Sequence, residues 1–210
     1  VEHIKTYHGI DWPHPRGTLR VEGPVSPDVL ATFRLDDGLV AFRPPAKQHQ
    51  ALMEIAALPE GRVIVARRAN TVVGYVTFHY PDPFERWAQG GIDCLLELGA
   101  IEVAPPYRHG GLAKTLLRVA FLDEFMENYI VLTTEYYWHW DLKGTGLDVW
   151  AYRRVMEKVM GSAGLVWMAT DDPEICAHPA NCLMVRIGKN VPLEAVATFD
   201  RLRFQNRTIW

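Results

Sequence analysis

One segment constrains the fold more than any other, Gly99–Leu117, which reads GAIEVAPPYRHGGLAKTLL. An apolar run meets two prolines, then an arginine and two glycines, then an amphipathic stretch. Leu95–Ala104 is predicted to be a strand ended by Pro105–Pro106. Gly111–Met126 is predicted to be a helix: Ala113, Leu116, Leu117, Ala120 and Phe121 share one stripe at helical spacing, and Lys114, Thr115, Arg118 and Asp123 fall largely outside it. Tyr129–Thr134 is the next strand. A strand–loop–helix–strand order of this kind makes the two strands parallel neighbours joined by a right-handed crossover.

The junction also has its own chemistry. The first turn of a helix carries unpaired N–H groups and a partial positive charge. Glycine has no Cβ to hold a ligand off the backbone. His109, Gly110, Gly111, Leu112 and Ala113 can therefore offer successive N–H donors to a diphosphate, although the same glycines also suit an ordinary strand–helix turn. No GxxxxGK[ST] segment exists, and Gly110–Gly111 does not supply GxGxxG, so the two commonest nucleotide loops are excluded.

Elsewhere, seven prolines interrupt the first sixty residues, where Thr18–Glu22 reads as a short strand and Gln48–Leu58 as a helix stopped by Pro59–Glu60–Gly61. Arg62–Arg67 and Val72–Tyr80 form a hairpin turning at Asn70–Thr71. Val149–Met160 and Leu193–Leu202 are predicted helices; Leu165–Ala169 and Leu183–Ile187 are predicted strands. The length, 210 residues with 49% apolar, fits a single domain with a sizeable core. With 22 basic against 25 acidic residues, nothing marks a nucleic-acid surface. Ala69–Pro81, the longest stretch free of Asp, Glu, Lys and Arg, is too short to span a bilayer of roughly 20 apolar residues. The opening VEHIKTYHGIDW has no apolar leader region, and three cysteines suggest no disulfide framework, so a cytoplasmic protein without membrane or nucleic-acid partners is expected.

Arg108–Ala113 fits the pattern [Q/R]xxGx[G/A] and resembles the GNAT (Gcn5-related) N-acetyltransferases, with the strand and helix in the family's order. This core covers about Arg62–Ala169. Glu22–Leu30, Thr133–Gly144 and Asp171–Asn190 extend the likeness over nearly the whole chain to the acetoin-utilisation acetyltransferases of bacilli. The resemblance implies a mixed α/β (α+β) GNAT fold over 1–210: a central, mostly antiparallel twisted sheet with a splayed parallel pair, flanked by helices. It implies acetyl-CoA as donor, no metal, and a protein acceptor, acetyl-CoA synthetase, switched off by lysine acetylation.

Acetyl transfer to an amine needs a neutral nucleophile, yet a free lysine has a pKa of about 10.4. A carboxylate or ordered water can take the proton, and a backbone N–H can stabilise the oxyanion. By the resemblance, Ile101 and Val103 supply backbone contacts to the pantetheine arm and the oxyanion. His109, Gly110, Gly111, Leu112 and Ala113 hold the diphosphate, and Arg108 and Lys114 either help neutralise it or sit in solvent. Glu97 and Glu102 are the two candidate catalytic carboxylates. Five residues apart on one strand, they point to opposite faces and do not form a pair. Glu135, Tyr136 and Tyr137 line the acceptor side. The position where the family usually carries a tyrosine as general acid is Met160 here, with Tyr152 two helical turns back. Tyr136–Trp140 is either an acceptor-binding aromatic wall or a satellite apolar cluster. Cys176, His178 and Cys182 read as loop structure rather than a zinc site, which normally takes four ligands. Arg201, Arg203 and Arg207 make the end of the chain locally basic. Two rival functions are a small-amine acetyltransferase and a non-catalytic acyl-CoA-binding module.

Overall fold

The computed structural model describes residues 2–206, so Arg207 lies outside the described residues. The chain divides into two compact units: Glu2–His79 with Leu98–Met126, and Tyr80–Glu97 with the chain from Glu127 onward.

The first unit is built on strands β1 (His8–Trp12), β2 (Leu19–Gly23), β3 (Arg34–Leu35), β4 (Arg62–Arg68), β5 (Thr71–His79) and the later part of β6 (Leu95–Val103). β1 pairs with β2, β2 with β4 and β4 with β5, all antiparallel; two-residue β3 adds to β5 in parallel. The central pair is nearly all apolar: Val63, Ile64, Val65, Val72, Tyr75, Val76 and Phe78 are buried, as strands covered on both faces require. Its turn lies at Ala69–Asn70, one residue earlier than expected. Ala69 takes the left-handed conformation, and Thr71 already pairs with Arg68.

The proline-rich beginning is more ordered than its sequence suggests. It contains β1, β3 and α1 (Pro27–Ala31) besides the expected helix, α2 (Pro45–Ala57), which starts three residues before Gln48. Both helices start at a proline, where a missing N–H costs nothing, and Ser26 Oγ caps α1 by accepting from Val29 N at 3.3 Å. The helix after the glycines, α3 (Leu112–Ala120), stops six residues short of the expected Met126, and a 3₁₀ turn follows at Glu124–Asn128. The reason is Asp123. Its Oδ1 accepts from Phe125 N at 3.0 Å, a local bond that competes with helix, and its Oδ2 faces Arg62 Nε at 3.7 Å. Thr115, expected outside the apolar stripe, is buried with its hydroxyl donating to Gly111 O at 3.2 Å.

In the second unit, Leu95–Glu97 of β6 runs parallel to Ile130–Leu132 of β7 (Ile130–Glu135), the arrangement expected from the strand–loop–helix–strand order. β7 pairs antiparallel with β9 (Cys182–Ile187), and β9 with β8 (Val166–Met168). Helices α4 (Leu142–Thr145), α5 (Val149–Gly161), α6 (Pro173–Cys176) and α7 (Leu193–Arg203) complete it. Asp141, Asp148 and Asp172 cap the first three through their carboxylates. Among the described residues no helix is long and apolar enough to cross a membrane.

Candidate active site

The glycine loop has the geometry its sequence requires. His109 and Gly111 both take positive φ, 67° and 82°, so the chain reverses sharply into α3. Gly111 is the residue before the first helical turn and has no side-chain cap. A Cβ on it would meet nothing within 4 Å, so the space before the helix start is open. The N–H groups of His109 to Ala113 have no backbone acceptor among the described residues. This is the unpaired donor set, at the positive end of a helix, that a diphosphate fits.

The flanks of the loop were not legible in the sequence. Trp12 and His14, from the N-terminal region, pack over Gly110, where a Cβ would meet Trp12 at 3.3 Å. His14 also lies against the Tyr107 ring at 5.2 Å, and Arg16 Nε donates to Pro106 O at 3.0 Å. Arg108 turns back: its Nε donates to Val103 O at 3.0 Å and ties the end of β6 to the loop. Ala104 N donates to Val73 O at 2.9 Å, so β6 is held from both ends of this bend. Lys114 is exposed on the first turn of α3.

The two candidate carboxylates have different surroundings. Glu102 is buried, with Oε2 accepting from Tyr75 OH at 2.6 Å and Oε1 from Ala41 N at 2.7 Å. Burial and this carboxylate push the Tyr75 phenol up. Glu97, half-buried on the earlier part of β6, has no such donors among the described residues. Burial, then Glu85 and Asp82, push its carboxyl up to about 8. Glu85 is itself raised by burial and by Asp82, Glu174 and Asp172. Asp82, Glu85, Glu97, Asp172 and Glu174 thus form one electrostatically coupled group. The sequence shows Glu97 and a loop at Pro81–Gly91, but not that Asp82 and Glu85 of that loop lie close enough to tune it.

Glu135 ends β7 in the interior. Its carboxylate accepts from Trp140 Nε1 and Thr133 Oγ1, both at 3.2 Å, yet burial dominates and holds its pKa at about 7. The aromatic run divides. Trp140 stacks on Tyr152 at 5.2 Å, and Tyr137 packs against His178 at 4.2 Å. Tyr136 and Trp138 stack on each other at 4.8 Å near the surface, and Tyr136 OH donates to Glu174 at 3.4 Å. Met160 is wholly buried. Cys176 Sγ donates to Thr170 O at 3.3 Å, and His178 Nδ1 accepts from Ala180 N at 3.1 Å.

The sequence pattern of the acetyltransferase (GNAT) family matches residues 32–139, which span the glycine loop and β6. The chain belongs to the GNAT family. It is an acetyl-CoA-dependent N-acetyltransferase with the mixed α/β GNAT fold, a mostly antiparallel sheet carrying the parallel β6–β7 pair. Acetoin utilization protein AcuA of Bacillus subtilis is 60% identical over 210 residues, all of both chains. The protein of that name from Bacillus licheniformis is 59% identical over the same full length. A crystal structure of an acetoin utilization protein from Exiguobacterium sibiricum superposes with a TM-score of 0.95 at 57% identity, covering 97% of each chain. The GNAT domain of S. lividans PAT, 15% identical with a TM-score of 0.53 over 85% of this chain and 96% of that one, shares the fold alone.

Proposed function

We propose that this GNAT enzyme transfers acetyl from acetyl-CoA to lysine side chains of acetyl-CoA synthetase, switching it off, within acetoin and acetate metabolism. Full-length identity to two proteins named for acetoin utilization supports the metabolic setting. The observation that carries the chemistry is Glu97, a carboxyl that burial first, and then Glu85 and Asp82, push up to about 8.

The donor is held by the chain's own backbone. The N–H groups of His109 to Ala113 bind the diphosphate, with Lys114 adding a charge at the helix start. Ile101 and Val103 contribute main-chain contacts to the pantetheine arm and the thioester oxygen. Arg108 acts less as a phosphate ligand than as the tie that keeps Val103 in place. Strand β6 carries Glu97, Ile101 and Val103 in turn along the chain.

On the acceptor side, the acidic group around Glu85 attracts a lysine ammonium. Glu97 takes a proton from it, and the neutral amine attacks the thioester carbon. The adduct's nitrogen gives up its second proton to solvent as the C–S bond breaks, and the leaving thiolate takes a proton from solvent. A base with a pKa near ambient pH is well matched to this transfer. Tyr136, stacked on Trp138, and Tyr137 present the aromatic rim of the acceptor surface. Glu135 fixes that rim from beneath through Trp140. We place the enzyme in the cytoplasm, a setting that suits three free cysteines.

The test is direct. The full chain is incubated with labelled acetyl-CoA and purified acetyl-CoA synthetase, and label is mapped by mass spectrometry. Lysine acetylation with loss of synthetase activity is expected. Label that reaches only small amines, or none that leaves CoA, overturns the reading in favour of one of the two rivals.

Glu102 is assigned a supporting role, since both oxygens are engaged. Glu102→Gln should lower stability by about 1–2 kcal/mol, because the amide can no longer accept from both Tyr75 OH and Ala41 N. The pH–rate profile should keep its shape. An E102Q enzyme with normal stability and a lost ascending limb would instead make Glu102 the base.

A further inference from the structure

Phe84 stands on the connection between β5 and β6 with 96% of its surface exposed, more than any other large hydrophobic side chain among the described residues. The loop beneath it is firmly braced. Phe84 N donates to Asp82 Oδ1 and Glu85 N to Asp82 O, both at 2.9 Å. Tyr80 OH donates to Asp93 O at 2.9 Å and closes the ends of the loop. Arg86, its side chain only 9% exposed, reaches Asp171 at 2.5 Å, Asp172 at 3.0 Å and the Leu202 carbonyl at 3.2 Å. Trp87 is buried against Phe199, ring centroids 5.8 Å apart. An exposed aromatic on a braced backbone makes a binding anchor without the cost of ordering the loop. Its neighbours give the partner's sign: Asp82 and Glu85 flank it, Asp172 and Glu174 act on Glu85, and the one arginine here is already engaged by Asp171 and Asp172.

We infer that Pro81–Gly91 is an acceptor-recognition arm, on which Phe84 packs against an apolar side chain beside the target lysine of a protein substrate. Asp82 and Glu85 draw in the lysine's ammonium, and Arg86 is the positioning residue that keeps the arm in place. The inference rests on the reading of Glu97 as the base for a lysine acceptor. The occupant is a cationic, partly apolar segment of a protein, chosen by charge complementarity.

Two lysine peptides that differ only in leucine or serine on each side of the lysine test this with the full chain. The leucine peptide should have the higher kcat/KM by about tenfold, the size of one anchor contact. Phe84→Ala should abolish that preference, Phe84→Leu should keep most of it, and Arg86→Lys should reduce it. Phe84→Ala should melt like the parent, since its side chain touches solvent. Equal use of the two peptides by the parent, turnover of neither, or a preference that survives Phe84→Ala overturns the inference. Transfer to acetyl-CoA synthetase is scored separately. A chain that discriminates the peptides but leaves the synthetase unmodified sinks the synthetase reading and keeps the arm.

Discussion

Glu97→Gln is expected to lower kcat/KM for a lysine acceptor by about 10²–10⁴-fold, the usual contribution of a positioned general base. The parent enzyme's rate should rise with pH through about 8, as the Glu97 carboxyl ionises. The variant should lose that limb and keep only the one belonging to the acceptor lysine, at about 10.4. Glu85→Gln should move the parent's limb to lower pH, because one of the two like charges that oppose ionisation is gone. An E97Q enzyme with the parent's rate and profile would remove Glu97 from the chemistry.

The same group makes a stability prediction of opposite sense. Its folded pKa is raised above the ordinary carboxylate value, so between that value and about 8 the folded state binds a proton that the unfolded state has released. Stability therefore falls as pH rises across that window. Glu97→Gln should be more stable than the parent at about pH 9 and indistinguishable from it at about pH 4. Urea unfolding at the two pH values checks this. A residue selected for packing would show the reverse ordering.

The largest loss of stability should come from Asp123→Ala. Asp123 and Arg62 are each only 1% exposed in their side chains. Their ion pair is long, at 3.7 Å, but each partner also organises backbone. Asp123 accepts from Thr6 N at 3.1 Å and from Phe125 N at 3.0 Å. Arg62 donates to Ile4 O at 2.6 Å and Glu60 O at 3.0 Å. The pair thus pins the N-terminal segment and the end of α3 to the start of β4. Removing one partner leaves a buried guanidinium without its counter-charge, a loss of about 3–5 kcal/mol. For a chain of this size that lowers Tm by roughly 10 °C. Replacing both, Arg62→Met with Asp123→Leu, should recover much of the loss, since the desolvation penalty disappears with the charges. An Asp123→Ala protein that unfolds at the parent's urea midpoint would show the pair to be dispensable.

Sequence reading went furthest where the physics is local. The strand, the two glycines and the helix start lie within twenty residues, and their order alone implied the parallel β6–β7 pair. Where it failed, a distant partner decided. The predicted helix to Met126 stops at Ala120 because Asp123 turns inward toward Arg62, more than sixty positions earlier. The proline-rich beginning reads as one short strand and one helix among breaks, yet its Trp12 and His14 cover Gly110, and its Ala41 N–H holds Glu102.

The proposed donor loop was therefore written in the sequence itself. Unpaired N–H groups at a helix start need only the residues that form them and glycine's freedom at positive φ. The base was not. Glu97 and Glu102 are the same residue type on the same strand, and nothing local separates them. Their roles follow from what folding sets beside each carboxyl: hydrogen-bond donors at Glu102, and burial with two like charges at Glu97. Proton affinity depends on solvation and on charges a few ångströms away in space, and only the tertiary structure brings those together.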